Sequence, residues 1–118
     1  MKALMEALDK SYIAGLTFCG GDPFFPSNRK EIADISRIVK MHFPEKEIWC
    51  YTGFTLSQLK DDPDVQEALK HIDVLIDGPF IEEKKDIRLK WRGSSNQRVL
   101  DIPNTLKNKT IVLKEGEN

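Results

Sequence analysis

Apolar residues recur along this chain in two periods, and the switches between them mark out the elements. Leu4, Met5 and Leu8 fall at helical spacing, so residues 1–10 read as a helix. Residues 13–18 form a short apolar strand, followed over 22–28 by a loop rich in proline and phenylalanine. Ile32, Ile35, Ile38, Val39 and Met41 then keep largely to one helical face. Ser27 or Asn28 can cap that helix, Glu31 in its first turn complements the helix dipole, and the helix ends before Pro44. Residues 47–51 are a second strand. Thr55 is placed to cap a short helix over 56–60, and Asp62-Pro63 opens another that runs to about His71. Residues 72–77 are a third strand, apolar in the middle as buried parallel strands are.

Farther on the pattern weakens. Residues 81–91 are charged, with Ile87 and Leu89 alternating, and fit neither period. Residues 99–102 and 110–113 are short strand candidates, and 103–108 a helical turn. Strands alternating with helices predict an α/β fold of parallel strands joined by right-handed crossovers. Residues 1–113 read as one domain and 114–118 as a flexible tail.

Composition narrows the class. At 118 residues the chain holds one small core, and 40% hydrophobic with 31% charged residues is ordinary for a globular protein. A net charge of −1 supplies no basic field for nucleic acid. No run approaches the roughly 20 apolar residues of a membrane span, and the charged, amphipathic start is not a secretory leader. Cys19 and Cys50 are too few and too separated for a disulfide scaffold, so the cytoplasm is the expected compartment.

Candidate chemistry gathers where the strands end, because open α/β sheets bind ligands at their carboxyl edge. The first strand runs into Cys19-Gly20-Gly21-Asp22-Pro23. Two glycines let the backbone turn there and leave carbonyls free to accept from a ligand ammonium, although the same residues also make a plain turn. After the second strand, Tyr51 and Thr52 offer hydroxyls to a ribose or carboxylate and Gly53 lets a ligand approach the backbone. The competing reading is a strand-to-helix turn capped by Thr55. Asp77 ends an apolar strand, so its carboxylate needs a ligand hydroxyl, a cation or a backbone N–H as partner. Arg92 and Arg98 bracket Gly-Ser-Ser-Asn-Gln, which reads either as forked donors for a carboxylate or as a solvated polar loop. Trp91 reads as core packing rather than an interface anchor, and the two cysteines as small buried hydrophobes at strand ends. His42 and His71 sit at helix C-termini without metal-ligand spacing.

In order, the segments GLTFCGGDP, IWCYTGFT, IDVLIDGPF and RGSSNQRVLD resemble the activating enzyme of the anaerobic ribonucleotide reductase, a family of radical S-adenosylmethionine (SAM) proteins. The resemblance runs over about residues 4–113. It implies a partial (β/α) barrel of the radical SAM type with a mostly parallel sheet. It implies that Gly20, Gly21 and Asp22 hold the methionyl ammonium of SAM, with Asp22 one methylene shorter than the usual glutamate of GGEP. Tyr51, Thr52, Gly53, Asp77 and Arg92 are then further SAM-binding residues, and the arginine-bracketed loop holds the SAM carboxylate or grips the reductase.

The implied reaction is reductive cleavage of SAM by a 4Fe-4S cluster, leaving a glycyl radical on the reductase. The implied partners are the large subunit of the anaerobic ribonucleoside-triphosphate reductase and reduced flavodoxin or a similar electron donor. The family binds its cluster through a C-x3-C-x2-C motif that this sequence lacks. The expectation is therefore a C-terminal portion without the first strand and cluster loop, inactive alone, with the cluster ligands in the missing segment. The rival expectation is a non-enzymatic SAM- or nucleoside-binding module, or one that docks on the reductase. A generic nucleotide-binding domain has no support, since neither the dinucleotide nor the P-loop glycine pattern is present.

Overall fold

The computed structural model describes residues 2–11 and 13–118; Met1, expected to open the first helix, and Tyr12 lie outside the described residues. Helix α1 (Lys2–Leu8) leads to strand β1 (Gly15–Phe18), helix α2 (Arg29–His42) and strand β2 (Glu47–Tyr51). Two short helices, α3 (Leu56–Leu59) and α4 (Pro63–Leu69), precede strand β3 (Val74–Asp77), and strand β4 (Arg98–Asp101) runs into helix α5 (Ile102–Asn108). The strands form one sheet in the order β1-β2-β3-β4. β1, β2 and β3 are parallel, and β4 is antiparallel to β3. The fold is thus mixed α/β with a mostly parallel four-stranded sheet. The reversal at β4 has a physical cause: the segment from β3 to β4 carries only a 3-10 turn (Glu82–Lys84), with no helix to return the chain for a parallel entry.

Strand alternation sorts the core. Ile48, Cys50, Leu75 and Leu100 face helices α2 and α4, where they pack with Ile32, Val39, Val65 and Leu69. Val74, Ile76 and Val99 face the other way, with Trp49 and Tyr51 packed against them. On α2, Ile32, Ser36 and Val39 are buried, whereas Met41 is 68% exposed. Met41 follows Val39 by two residues, about 200° around a helix, which turns it away from the sheet. Ser36 takes an interior place instead, and its hydroxyl has no hydrogen-bond partner among the described residues.

Both shorter helices are capped as their sequences indicate. Thr55 and Gln58 form a reciprocal capping box on α3, and the Asp62 carboxylate accepts from the Asp64 and Val65 N–H groups at the start of α4. Asn28 precedes α2 without capping it, because a 3-10 turn (Pro26–Asn28) leads in and the Asn28 amide donates to the Asp22 carbonyl at 3.1 Å. Residues 110–113 contribute a single bridge, Leu100 to Leu113, rather than a strand. The 114–118 segment hydrogen-bonds along β4: Lys114 N–H donates to the Val99 carbonyl and Val99 N–H to the Asn118 side chain, each at 2.8 Å. Among the described residues no helix is long and apolar enough to cross a membrane.

Candidate functional site

The turns after β1, β2 and β3 lie side by side because their strands are neighbours and run the same way. Asp22 sews the first turn to the second. One of its carboxylate oxygens accepts from the Phe24 N–H at 2.9 Å and the Thr52 hydroxyl at 2.8 Å, and the other from the Gly53 N–H at 2.8 Å. Thr52 is buried; its oxygen also accepts from the Phe54 N–H at 3.2 Å, and its own N–H donates to the Ile76 carbonyl at 3.0 Å. Gly78 N–H then donates to the Phe54 carbonyl at 2.9 Å, which ties the second turn to the third.

Within this belt the two glycines after β1 stand apart. Gly20 has φ +80°, a left-handed conformation that glycine adopts without strain. No heavy atom lies within 4 Å of where a side chain on Gly20 or Gly21 would begin, and no hydrogen bond among the described residues uses either carbonyl. Both carbonyls are acceptors without a partner among the described residues.

Asp77 has the opposite character. It is 1% exposed, and both oxygens are engaged: Arg98 donates to them at 3.0 and 2.6 Å, and the Leu56 N–H adds a bond at 2.8 Å. The pair follows from register, since Asp77 and Arg98 are direct partners on antiparallel strands and share a face. The carboxylate holds the Arg98 guanidinium charged beyond its ordinary range. Asp77 alternates with Ile76, so it lies on the helix side of the sheet while Tyr51 lies on the other.

Tyr51 lines a concavity of about 560 Å³ with Leu16, Thr17, Trp49 and Trp91. Burial, and then the neighbouring Cys19, push its hydroxyl above its ordinary pKa. Trp91, expected in the core, is 50% exposed; its ring packs edge-on against Trp49 at 5.0 Å, on a backbone with φ +67°.

Arg92 belongs to the arginine-bracketed loop that the sequence offered either as forked donors for a carboxylate or as a solvated polar loop. Gln97 organises it: its side-chain oxygen accepts from the Gly93 and Ser94 N–H groups at 2.8 and 3.1 Å, and its amide donates to the Gly78 carbonyl at 3.1 Å. Asn96 donates to the Pro79 carbonyl at 2.7 Å. Arg92 donates from one terminal nitrogen to the Gln97 carbonyl at 3.1 Å, while its buried Nε has no partner among the described residues. Among the described residues no hydrogen bond joins Arg92 to the β1 turn. The candidate residues therefore form two groups, one around Gly20–Asp22, Tyr51, Thr52 and Gly53, and one around Asp77, Gln97 and Arg92, linked through Phe54 and Gly78. Sequence reasoning missed Gln97 and Asn96 as clamps and also missed Lys46. Lys46 is 8% exposed, and its ammonium donates to the Lys10 and Ile13 carbonyls. No periodicity announces a lysine spent on carbonyls; the signal available for the clamps was the adjacent carboxamides Asn96 and Gln97.

The thiols do not make a metal centre. Both were expected to be buried; Cys50 is, but Cys19, one residue past the end of β1, is exposed. Phe18 pairs with Cys50, so Cys19 aligns with Tyr51, and alternation places the two sulfurs on opposite faces of the sheet. Burial, then the charge of Asp22, raise the Cys50 thiol far above its ordinary pKa, which disfavours the thiolate that binds iron. Among the described residues no group of three or more His, Cys, Asp or Glu side chains could hold a metal ion.

Comparisons with known proteins place these features in context. A family described as "4Fe-4S single cluster domain" matches residues 1–100. The chain is similar to the anaerobic ribonucleoside-triphosphate reductase-activating protein of Enterobacteria phage T4, 46% identical over 99 residues, which is 84% of this chain and 60% of that relative. Proteins of the same description from Vibrio cholerae, 47% identical over 83 residues, and Escherichia coli K12, 39% over 85, are covered to 52% and 54%. The chain thus spans little more than half the length of these relatives. No solved structure matches.

Proposed function

Because the chain belongs to the 4Fe-4S single cluster domain family and is similar over most of its length to anaerobic ribonucleoside-triphosphate reductase-activating proteins, we propose that it provides the SAM-holding and reductase-docking part of such an activating enzyme. SAM, when bound and reductively cleaved, would supply the radical that takes a hydrogen atom from a glycine of the reductase. The open, mostly parallel sheet is read as a partial (β/α) barrel of the radical SAM type.

The observation that carries this reading is the pair of free carbonyls at Gly20 and Gly21, which suits a ligand ammonium. Asp22, Thr52 and Asp77 serve by holding the turns, since their side-chain oxygens are spent on protein donors. Tyr51 offers a wall for an aromatic base on the concave face, and Gly53 keeps the second turn open to approach. The second terminal nitrogen of Arg92, which makes no hydrogen bond among the described residues, suits a carboxylate acceptor. The two sulfurs, on opposite faces of the sheet, do not fit a cluster. The cluster and its electron donor, reduced flavodoxin or a similar protein, belong to other parts of the assembled system. The same thiol arrangement favours a second reading, a module that binds SAM or the reductase without chemistry of its own.

Calorimetry with SAM, calorimetry with the reductase, and anaerobic incubation with iron and sulfide followed by a 5′-deoxyadenosine assay test the proposal together. The expected result is SAM binding that weakens at least tenfold in Gly20→Val, reductase binding, and neither a stoichiometric cluster nor 5′-deoxyadenosine from this chain alone. Reductase binding without SAM binding would leave only a docking module. Stoichiometric cluster and 5′-deoxyadenosine would overturn the division of labour.

A further inference from the structure

On the opposite, helical side of the molecule lies a second cavity of about 500 Å³, between α3, α4 and α5. That volume is within the roughly 300–1,000 Å³ of small-molecule sites. Its apolar wall is Leu56, Leu69, Leu106 and Ile111. Leu106 is 44% exposed and Ile111 41%, so apolar surface is left uncovered there. Ser57, Gln66 and Thr110 add neutral hydrogen-bonding groups. Four cations complete the lining: Lys60, Lys70, Arg98 and Lys109.

The charge balance favours an anion. No carboxylate lines the cavity. Arg98 is neutralised by Asp77, and Lys70 by Glu67 at 3.2 Å. Among the described residues neither Lys60 nor Lys109 forms an ion pair, so two of the four cations are left without an opposite charge. Lys109 ends α5 with its backbone in the left-handed conformation, φ +55°.

We propose that this cavity binds a nucleoside phosphate: the base against Leu106 and Ile111, the sugar hydroxyls toward the neutral groups, and the phosphates between Lys60 and Lys109. Charge alone does not account for the apolar wall, and an apolar groove alone does not account for the uncompensated cations. Both are needed, and a nucleoside phosphate joins the two chemistries in one small molecule. The inference does not rest on SAM binding at the β1 turn, which lies at the end of a different strand.

The test is calorimetric titration of the full chain with ATP, adenosine, tripolyphosphate and octanoate. ATP is expected to bind at least tenfold more tightly than the other three, with an affinity that falls as salt rises. Lys60→Gln combined with Lys109→Asn removes the charges while keeping a residue that tolerates the left-handed cap, and is expected to weaken ATP at least tenfold. Leu106→Asp on the exposed wall is expected to do the same. Circular dichroism establishes that the variants fold, and SAM binding should be unchanged in them. Tripolyphosphate binding as tightly as ATP would reduce the site to a cationic surface. Octanoate or adenosine binding as tightly would reduce it to an apolar groove. No ATP binding at millimolar concentration, or binding within twofold in the double lysine variant, would also overturn the proposal.

Discussion

A carboxylate buried as fully as Asp77 is stable only because Arg98 and the Leu56 N–H meet it on both oxygens. The strand pattern indicates that Asp77 needs a partner, yet it does not name one. Arg98 stands 21 positions away and becomes the partner only once β4 pairs with β3 in antiparallel register. The belt around Asp22 was hidden in the same way: Thr52 and Gly53 read as ligand contacts because a hydroxyl and a glycine at a strand end suit a ligand, but thirty residues earlier in the chain a carboxylate waits for the Thr52 hydroxyl. Removing Arg98 should leave the Asp77 charge buried and uncompensated. Arg98→Ala is expected to cost about 3 kcal/mol in urea denaturation, toward the low end for a broken buried pair because the Arg98 side chain is itself 36% exposed. In a double-mutant cycle with Asp77→Ala the two losses should be less than additive by about 1 kcal/mol or more. Additivity within about 0.5 kcal/mol would mean that the pair is not coupled.

Elements whose ends carry local chemistry were the most legible. Thr55 with Gln58 and Asp62 with Pro63 mark α3 and α4 through side chains that bond within three residues, so no tertiary information is needed. The direction of β4 was not legible, because the alternation of Arg98–Asp101 is the same in either sense; the missing crossover helix over 78–97 was the available clue. Asp62 adds a pH dependence to α4. The Val65 N–H first, with Arg29 and the Asp64 N–H, hold its carboxyl below the ordinary carboxylate range. A carboxyl that binds its proton less readily when folded stabilises the fold above its unfolded pKa, about 3.9, and loses that contribution as pH falls through the lower folded value. Melting temperature measured from about pH 5 down to pH 2 should therefore fall more steeply in the wild type than in Asp62→Asn, which still caps the helix but cannot ionise. Parallel curves would remove Asp62 from the acid response.

At the scale of the whole molecule, the two edges of the sheet are treated differently. The outer side of β4 is covered: Asp101 N–H donates to the Val112 carbonyl at 2.8 Å, and Lys114 and Asn118 engage both polar groups of Val99. The outer side of β1 pairs with no strand among the described residues. Successive amides of a strand point alternately to its two neighbours, so β3, held between β2 and β4, has partners on both sides, whereas β1 has them on one. Hydrogen exchange on a dilute sample should then show protection throughout Val74–Asp77 but only at alternate amides of Gly15–Phe18. Uniform protection along β1 that disappears on further dilution would mean that the free edge pairs with a second copy of the chain, the association an open strand invites. Uniform protection that persists would mean that the β1 edge is covered within one chain, and the description of β1 as an open edge would fail.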